Sequence, residues 1–356
     1  MMPRPDARSG AGQPPPGASP EDAAAYKSLS LVANPDGSIT RINQPPTLPA
    51  NPDPESDPTA VALSKDVPLN PARNTSIRLF RPTAPPAAGK LPLIIYFHGG
   101  GFILLSAATL FFHKSSSRLA ARLPAVVASV EYRLAPEHRL PAAYDDAMDA
   151  INWAKTEAIA AAAGGCAAAA DPWLKELADF SRIFLMGSSA GGNMVYHAAL
   201  RAVDLDLRPA EIVGLIMNEA FFGGVGRTES EVEHNDDVLV PSHVTDLLWS
   251  LALPAGADRG HVYCDAAATA GDERIRRLPA SMVAGYTGDP LVDRQRELAK
   301  LLEERGVKVT RRFVDGGCHA IELFEKEYSD KLFDDVKDFV CSVGGDRMLG
   351  KAAANL

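Results

Sequence analysis

Seven short apolar runs punctuate the chain after Asn74: SIRLF (76–80), LIIYF (93–97), AVVASVE (125–131), RIFLMG (182–187), IVGLIM (212–217), SMVAGY (281–286) and VKVTRRFV (307–314). Several are continuous rather than alternating, the pattern of strands buried on both faces. Helical patterns lie between them at 142–156, 173–178, 190–202 and 290–305. A last one at 326–341 sets Tyr328, Leu332, Phe333, Val336 and Phe339 on one stripe. Strands alternating with helices predict an α/β fold, a mostly parallel central sheet with helices on both faces.

Two stretches break the alternation. Residues 157–170 are a low-complexity alanine run, expected to be a loop or helix end without chemistry. Residues 223–262 carry helical segments such as PSHVTDLLWSLAL but no strand, and are expected to cap the carboxyl edge of the sheet. Proline is uneven: 19 of 28 fall between Pro3 and Pro92. Residues 1–25 therefore read as a disordered tail, and 26–70 as irregular chain laid over the core as a second cap element. One domain is expected over 26–345, with a short tail at 346–356.

The chain has 356 residues, 46% of them hydrophobic, ample for one large core. A formal charge of -9 lacks the basic footprint that nucleic acid or anionic lipid would require. Cys166, Cys264, Cys318 and Cys341 have neither zinc-site nor disulfide-framework spacing, so reduced thiols are expected. No run reaches the ~18 apolar residues of a membrane span, and no signal-peptide core is present. The expected location is the cytoplasm, with the nucleus as a second compartment.

Gly187-Ser188-Ser189-Ala190-Gly191 fits GxSxG, follows a predicted strand and opens a predicted helix. A serine at that sharp turn is a candidate nucleophile, its small neighbours relieving close contacts. After the strand LIIYF comes His98-Gly99-Gly100-Gly101-Phe102. The N–H groups of Gly99, Gly100 and Gly101, with that of Ala190, are candidates for an oxyanion hole. A serine hydroxyl needs a base, and in this arrangement the order is serine, acid, histidine. His197, His234, His243, His261 and His319 follow Ser189. His197 points away from the hydroxyl, and the next three sit in the expected cap. His319 lies in a glycine-led loop after the last strand, where a base is needed. Asp289, nearest the end of SMVAGY, is the expected acid, with Asp293 one helical turn further and expected to brace the loop.

HGGGF, EYRLAPEHRLPAAYDD (131–146), GSSAGGN (187–193), GDPLVD (288–293) and GCHAIELF (317–324) together resemble a plant carboxylesterase of the hormone-sensitive-lipase-like branch of the α/β hydrolases. The resemblance spans 26–342. It implies the α/β-hydrolase fold, the triad Ser189, Asp289 and His319, and a pocket covered by the N-terminal segment and the inserted cap. It also makes Arg133 and Glu137 scaffold residues. The expected reaction is hydrolysis of a small-molecule ester, requiring neither metal nor organic cofactor. Relatives that run dehydration, acyl transfer or cyclisation in the same site give an alternative. Gibberellin receptors give another, but they have lost the histidine that stands here as His319. Phe102, Ile103, Phe221, Phe222 and Ile321 flank the motif loops and are candidate pocket residues, with core packing the competing role.

Overall fold

The computed structural model describes residues 12–85, 89–163 and 170–353, with side chains to Val343. Helix α1 (Pro20–Ser28) precedes a hairpin of β1 (Leu31–Ala33) and β2 (Ile39–Arg41), then β3 (Ala62–Asn70), β4 (Thr75–Pro82) and β5 (Leu91–Phe97). After these come α2 (Leu110–Arg122), β6 (Val126–Glu131), α3 (Ala142–Ala162), α4 (Pro172–Leu177), β7 (Ala178–Ser188), α5 (Ala190–Ala202) and β8 (Ile212–Asn218). Helices α6 (Glu229–Glu233) and α7 (Ser242–Ala252) follow, then β9 (Ala280–Tyr286), α8 (Val292–Glu304), β10 (Val309–Val314) and α9 (Lys326–Ala353).

Eight strands form one sheet in the order β10-β9-β8-β7-β5-β6-β4-β3. The six from β10 to β6 run parallel, and β4 and β3 are antiparallel at one edge. All seven apolar runs are strands of this sheet. Along β5 the side chains alternate between two cores. Leu93, Ile95 and Phe97 face α3, α5 and α8, while Ile94 and Tyr96 face α2 and α9. Both faces are covered, so the strands are apolar throughout.

Several boundaries differ from expectation. The tail was expected to lack structure to residue 25, but Gln13 bridges to Val32 and α1 begins at Pro20. Ser19 caps that helix through the Asp22 N–H, and Ala25 and Tyr26 are buried. Residues 1–11 lie outside the described residues. Strand β3 arises inside the proline-rich stretch, because an edge strand tolerates the missing N–H of Pro68. Helix α2 has no clear signal in the sequence: Ser115, Ser116 and Ser117 dilute its apolar pattern, and Ser116 is buried beside Phe112 and Leu119. Helix α3 runs into the alanine-rich stretch, of which 164–169 lie outside the described residues, and α9 passes residue 345 to reach Ala353.

Both charges of the YRLAPE run serve the scaffold. Arg133 grips the fully buried Asp146 with Nε and Nη2 at 2.7–3.0 Å, and its own N–H donates to the same carboxylate at 2.9 Å. Glu137 accepts from the Ile39 N–H at 3.0 Å and pairs with Arg41 at 2.7 Å. Arg41 Nε donates to the carbonyl of Ile103 at 2.6 Å, which ties the hairpin to the loop after β5. Helix α1 lies against α7. Arg133→Met strands a buried carboxylate and is expected to lower unfolding free energy by about 3 kcal/mol in urea titration. A loss under about 1 kcal/mol would mean that Arg73, 3.6 Å from Asp146, takes over the pairing.

Candidate active site

The turn between β7 and α5 holds Ser189 at φ 55°, ψ -119°. A side chain in that region stores about 1–3 kcal/mol of strain and persists only where its surroundings over-determine it. Here the Ser189 N–H donates to the Asn218 carbonyl at 2.9 Å, and the Ser189 carbonyl accepts from Gly192 and Phe221, each at 2.9 Å. The flanking glycines are obligatory. A Cβ at 187 would sit 2.2 Å from the Gly191 oxygen, and one at 191 would sit 1.9 Å from that of Phe97.

Loops from three places along the sheet converge on this hydroxyl. His319 Nε2 is 3.0 Å from Ser189 Oγ, and His319 Nδ1 is 3.0 Å from Asp289 Oδ2. Asp289 is fully buried and held on its other lone pairs by the Leu291 N–H at 2.9 Å and Gln295 Nε2 at 2.8 Å. Burial alone would depress the imidazole. The charge and hydrogen bond of Asp289 outweigh it and hold His319 above the usual histidine value. Asp293 does not reach the imidazole. It accepts the Ser230 N–H at 2.9 Å and pairs with Arg296, bracing α6 against α8. His197 is enclosed by Tyr144, Tyr263 and Phe222, and burial pushes it down to about 3.

The glycine loop lies directly against the elbow. A Cβ on Gly99 would stand 3.2 Å from that of Ser189. Gly100 and Gly101 take φ of 116° and 62°, and Gly101 abuts Leu248 of α7. His98 orients this loop from below: its Nδ1 is 2.7 Å from the Gly99 carbonyl, and its ring stacks on Tyr132 at 4.2 Å. Burial pushes His98 down to about 4, so it is neutral and its Nδ1–H donates. Ala190 is the first residue of α5, where the N–H has no helical acceptor.

A cavity of about 230 Å³ opens beside the imidazole, lined by His234, Asp236, Asp237, Val238, Leu239, Gly288, Cys318 and His319. None of Phe102, Ile103, Phe221, Phe222 and Ile321 lines it. Phe102 and Phe221 pack with Trp249 of α7, the latter pair stacked at 4.5 Å, while Phe222 sits by Tyr196 and His197. Ile103 is fully buried, and Ile321 is half-buried beside Gly317. A larger groove of about 790 Å³ runs between 205–213 and 277–280, at the amino ends of β8 and β9, the end of the sheet away from Ser189.

Three further polar residues support the site without being among the candidates read from the sequence. Gln295 supports Asp289 from α8. Glu219, at the end of β8, accepts the Ala320 N–H at 2.8 Å, and Glu322 meets it across Asn218. A carboxylate oxygen of Glu219, one of Asp289 and a ring nitrogen of His319 lie within 4.8 Å of one another. That trio has the composition of a metal-ligating set, but its atoms are engaged with Ala320, Leu291, Gln295 and Ser189. Helix periodicity makes Gln295 legible as a neighbour of Leu291 (i, i+4). Glu322 lies within the GCHAIELF run, the signal that could have found it, whereas no local pattern marks Glu219.

A family model described as alpha/beta hydrolase fold matches residues 94–323. Probable carboxylesterase 8 of Arabidopsis thaliana is 49% identical over 337 residues, covering 93% of this chain and 97% of that protein. The 3-O-acetylpapaveroxine carboxylesterase of Papaver somniferum is 43% identical, with 88% of this chain and 97% of that protein covered. Among solved structures, the Pyrobaculum calidifontis esterase superposes with a TM-score of 0.64 at 26% identity, over 80% of this chain and 85% of that one. Carboxyl esterase 2 of Tuber melanosporum shares the fold, with a TM-score of 0.67 at 18% identity over 85% and 92% of the two chains. From the fold, the serine elbow and these likenesses together, the chain belongs to the α/β-hydrolase family, among the plant carboxylesterases.

Proposed function

We propose that Ser189, His319 and Asp289 are the catalytic triad of this carboxylic-ester hydrolase, acting on esters of small or medium-sized, largely apolar molecules. The carrying observation is the unbroken series from the Ser189 hydroxyl through the imidazole to Asp289, both links at 3.0 Å. Ser189 Oγ attacks the ester carbonyl as its proton passes to His319 Nε2. Asp289 holds the tautomer with Nδ1–H and stabilises the imidazolium. N–H groups of Gly99, Gly100, Gly101 and Ala190 receive the negative oxygen, each such donor contributing about 3–4 kcal/mol. The intermediate collapses as the imidazolium protonates the leaving alcohol. Water, deprotonated by the same nitrogen, then releases the acyl group as a carboxylic acid and restores the serine.

The cavity beside His319 is the approach for the ester, and its wall from the inserted cap, residues 234–239, sets the size it admits. Its walls mix apolar Val238 and Leu239 with polar His234, Asp236 and Asp237. The poppy relative is named for an acetylated molecule, which makes a short acyl ester the first substrate to try.

With p-nitrophenyl acetate, Ser189→Ala is expected to lower kcat by about 10⁴-fold or more while the fold persists. Undiminished turnover would contradict the assignment. The base works only when neutral, and its folded-state value lies above 6.5. The inactive imidazolium therefore persists to higher pH, and kcat/KM should rise through a midpoint above 6.5. Asp289→Asn removes the charge that raises it, so that midpoint should move down in pH as kcat falls by about 10⁴-fold. A wild-type midpoint well below 6.5 would sink this account of the base.

A further inference from the structure

Behind the base loop, Glu219 and Glu322 are 1% and 4% exposed. Glu219 follows β8 directly, with φ +47°, and accepts through Oε1 the N–H of Ala320, the residue after His319. Its Oε2 and Glu322 Oε1 both face Asn218 Nδ2, at 3.2 and 2.7 Å, and Ser188 Oγ is a third claimant at 3.3 Å. That amide nitrogen has only two hydrogens. Among the described residues no Lys or Arg pairs with either carboxyl, and Glu322 Oε2 is buried without a partner. Two bare carboxylates here would repel at close range with too few donors between them. One proton supplies the missing donor and removes one charge.

We infer that Glu219 and Glu322 share a single proton and act as a positioning pair for His319. Protonated Glu219 holds the base loop through Ala320 and donates to Glu322. Ionised Glu322 adds to Asp289 the negative field in which the imidazolium forms. Burial, then the charges of Glu322 and Asp289, push Glu219 well above the carboxylate range. Glu322 is also raised by burial, with the hydrogen bond from Glu219 opposing it. Glu219 Oε1 is taken by the Ala320 N–H while Glu322 Oε2 lacks any donor, so a proton on the other Glu219 oxygen, directed at Glu322, supplies the one that is missing. The other titratable groups around the pair are Asp289, His319, Tyr96, Tyr286 and Cys318, and the charge of Asp237 acts on the imidazole across the cavity that both line. Burial raises both phenols and pushes the Cys318 thiol up to about 11, so these three are neutral at pH 7.

The inference rests on His319 being the base of ester hydrolysis, and its test is the pH dependence of kcat/KM for p-nitrophenyl acetate in four proteins. Glu322→Gln removes the ionised partner and should move the acid-side midpoint down by about half a unit or more. Glu219→Gln replaces a neutral acid while keeping a donor for Glu322 and an acceptor for Ala320, so the midpoint should stay with wild type. Glu219→Ala frees the loop and should lower kcat about tenfold or more with KM within about twofold, a loss that the glutamine variant largely rescues. Equal downward shifts in both glutamine variants would overturn the shared proton. An unmoved midpoint in Glu322→Gln would overturn the action on the base, and wild-type kcat in Glu219→Ala would overturn the positioning role. Should the alanine variant not fold, the two glutamine profiles decide alone. Failure of the underlying reading has a different signature, wild-type turnover that survives Ser189→Ala.

Discussion

A side-chain carbon at position 191 would stand 1.9 Å from the carbonyl oxygen of Phe97, a separation that only glycine avoids. Helix α5 is therefore seated on the end of β5 as closely as two backbones can be. This seating forces the chain through the strained conformation at Ser189 and presses the elbow against the glycine loop that leaves β5. The strain of about 1–3 kcal/mol is met by four backbone hydrogen bonds around Ser189, each contributing about 0.5–1.5 kcal/mol. With hydroxyl and loop so fixed, parallel strands β8, β9 and β10 need only deliver side chains to the same carboxyl edge. Ligands of open α/β sheets gather at that edge for this reason.

The carboxyls around His319 illustrate how environment divides one residue type into different roles. Asp289 accepts from a backbone N–H, an amide and the imidazole, so its charge is met by three donors. Glu219 and Glu322 lie equally deep but have between them only the Ala320 N–H and one shared amide. Burial penalises the charged form at every one of these sites, and hydrogen-bond donors oppose that penalty in proportion to their number.

Much of this was legible along the chain. Apolar runs of strand length, a glycine elbow after one of them and HGGG after another carry their structural consequences locally. Asp289 and His319 could be read because each sits just past a strand end. Strand β3 was hidden by Pro68, and α2 by serines, since both elements are stabilised by partners rather than by their own pattern. Glu219 and Glu322 stand far apart in sequence, and only the adjacency of β8 to β9 and the fold of the base loop bring them together. Phe102, Phe221 and Phe222 show the opposite failure: position beside a motif loop does not distinguish a pocket wall from core, and all three are buried.

In the proposed mechanism one hydroxyl, one imidazole and one cluster of backbone donors converge on a reacting carbonyl. A crystal structure of the protein treated with a p-nitrophenyl alkylphosphonate tests it most directly, because the tetrahedral phosphorus mimics the first intermediate. The account predicts a bond from Ser189 Oγ to phosphorus. The phosphoryl oxygen should lie about 2.7–3.1 Å from the Ala190 N–H and from N–H groups of the Gly99–Gly101 loop. Phosphorus on another residue, or an oxygen turned away from those donors, would contradict it.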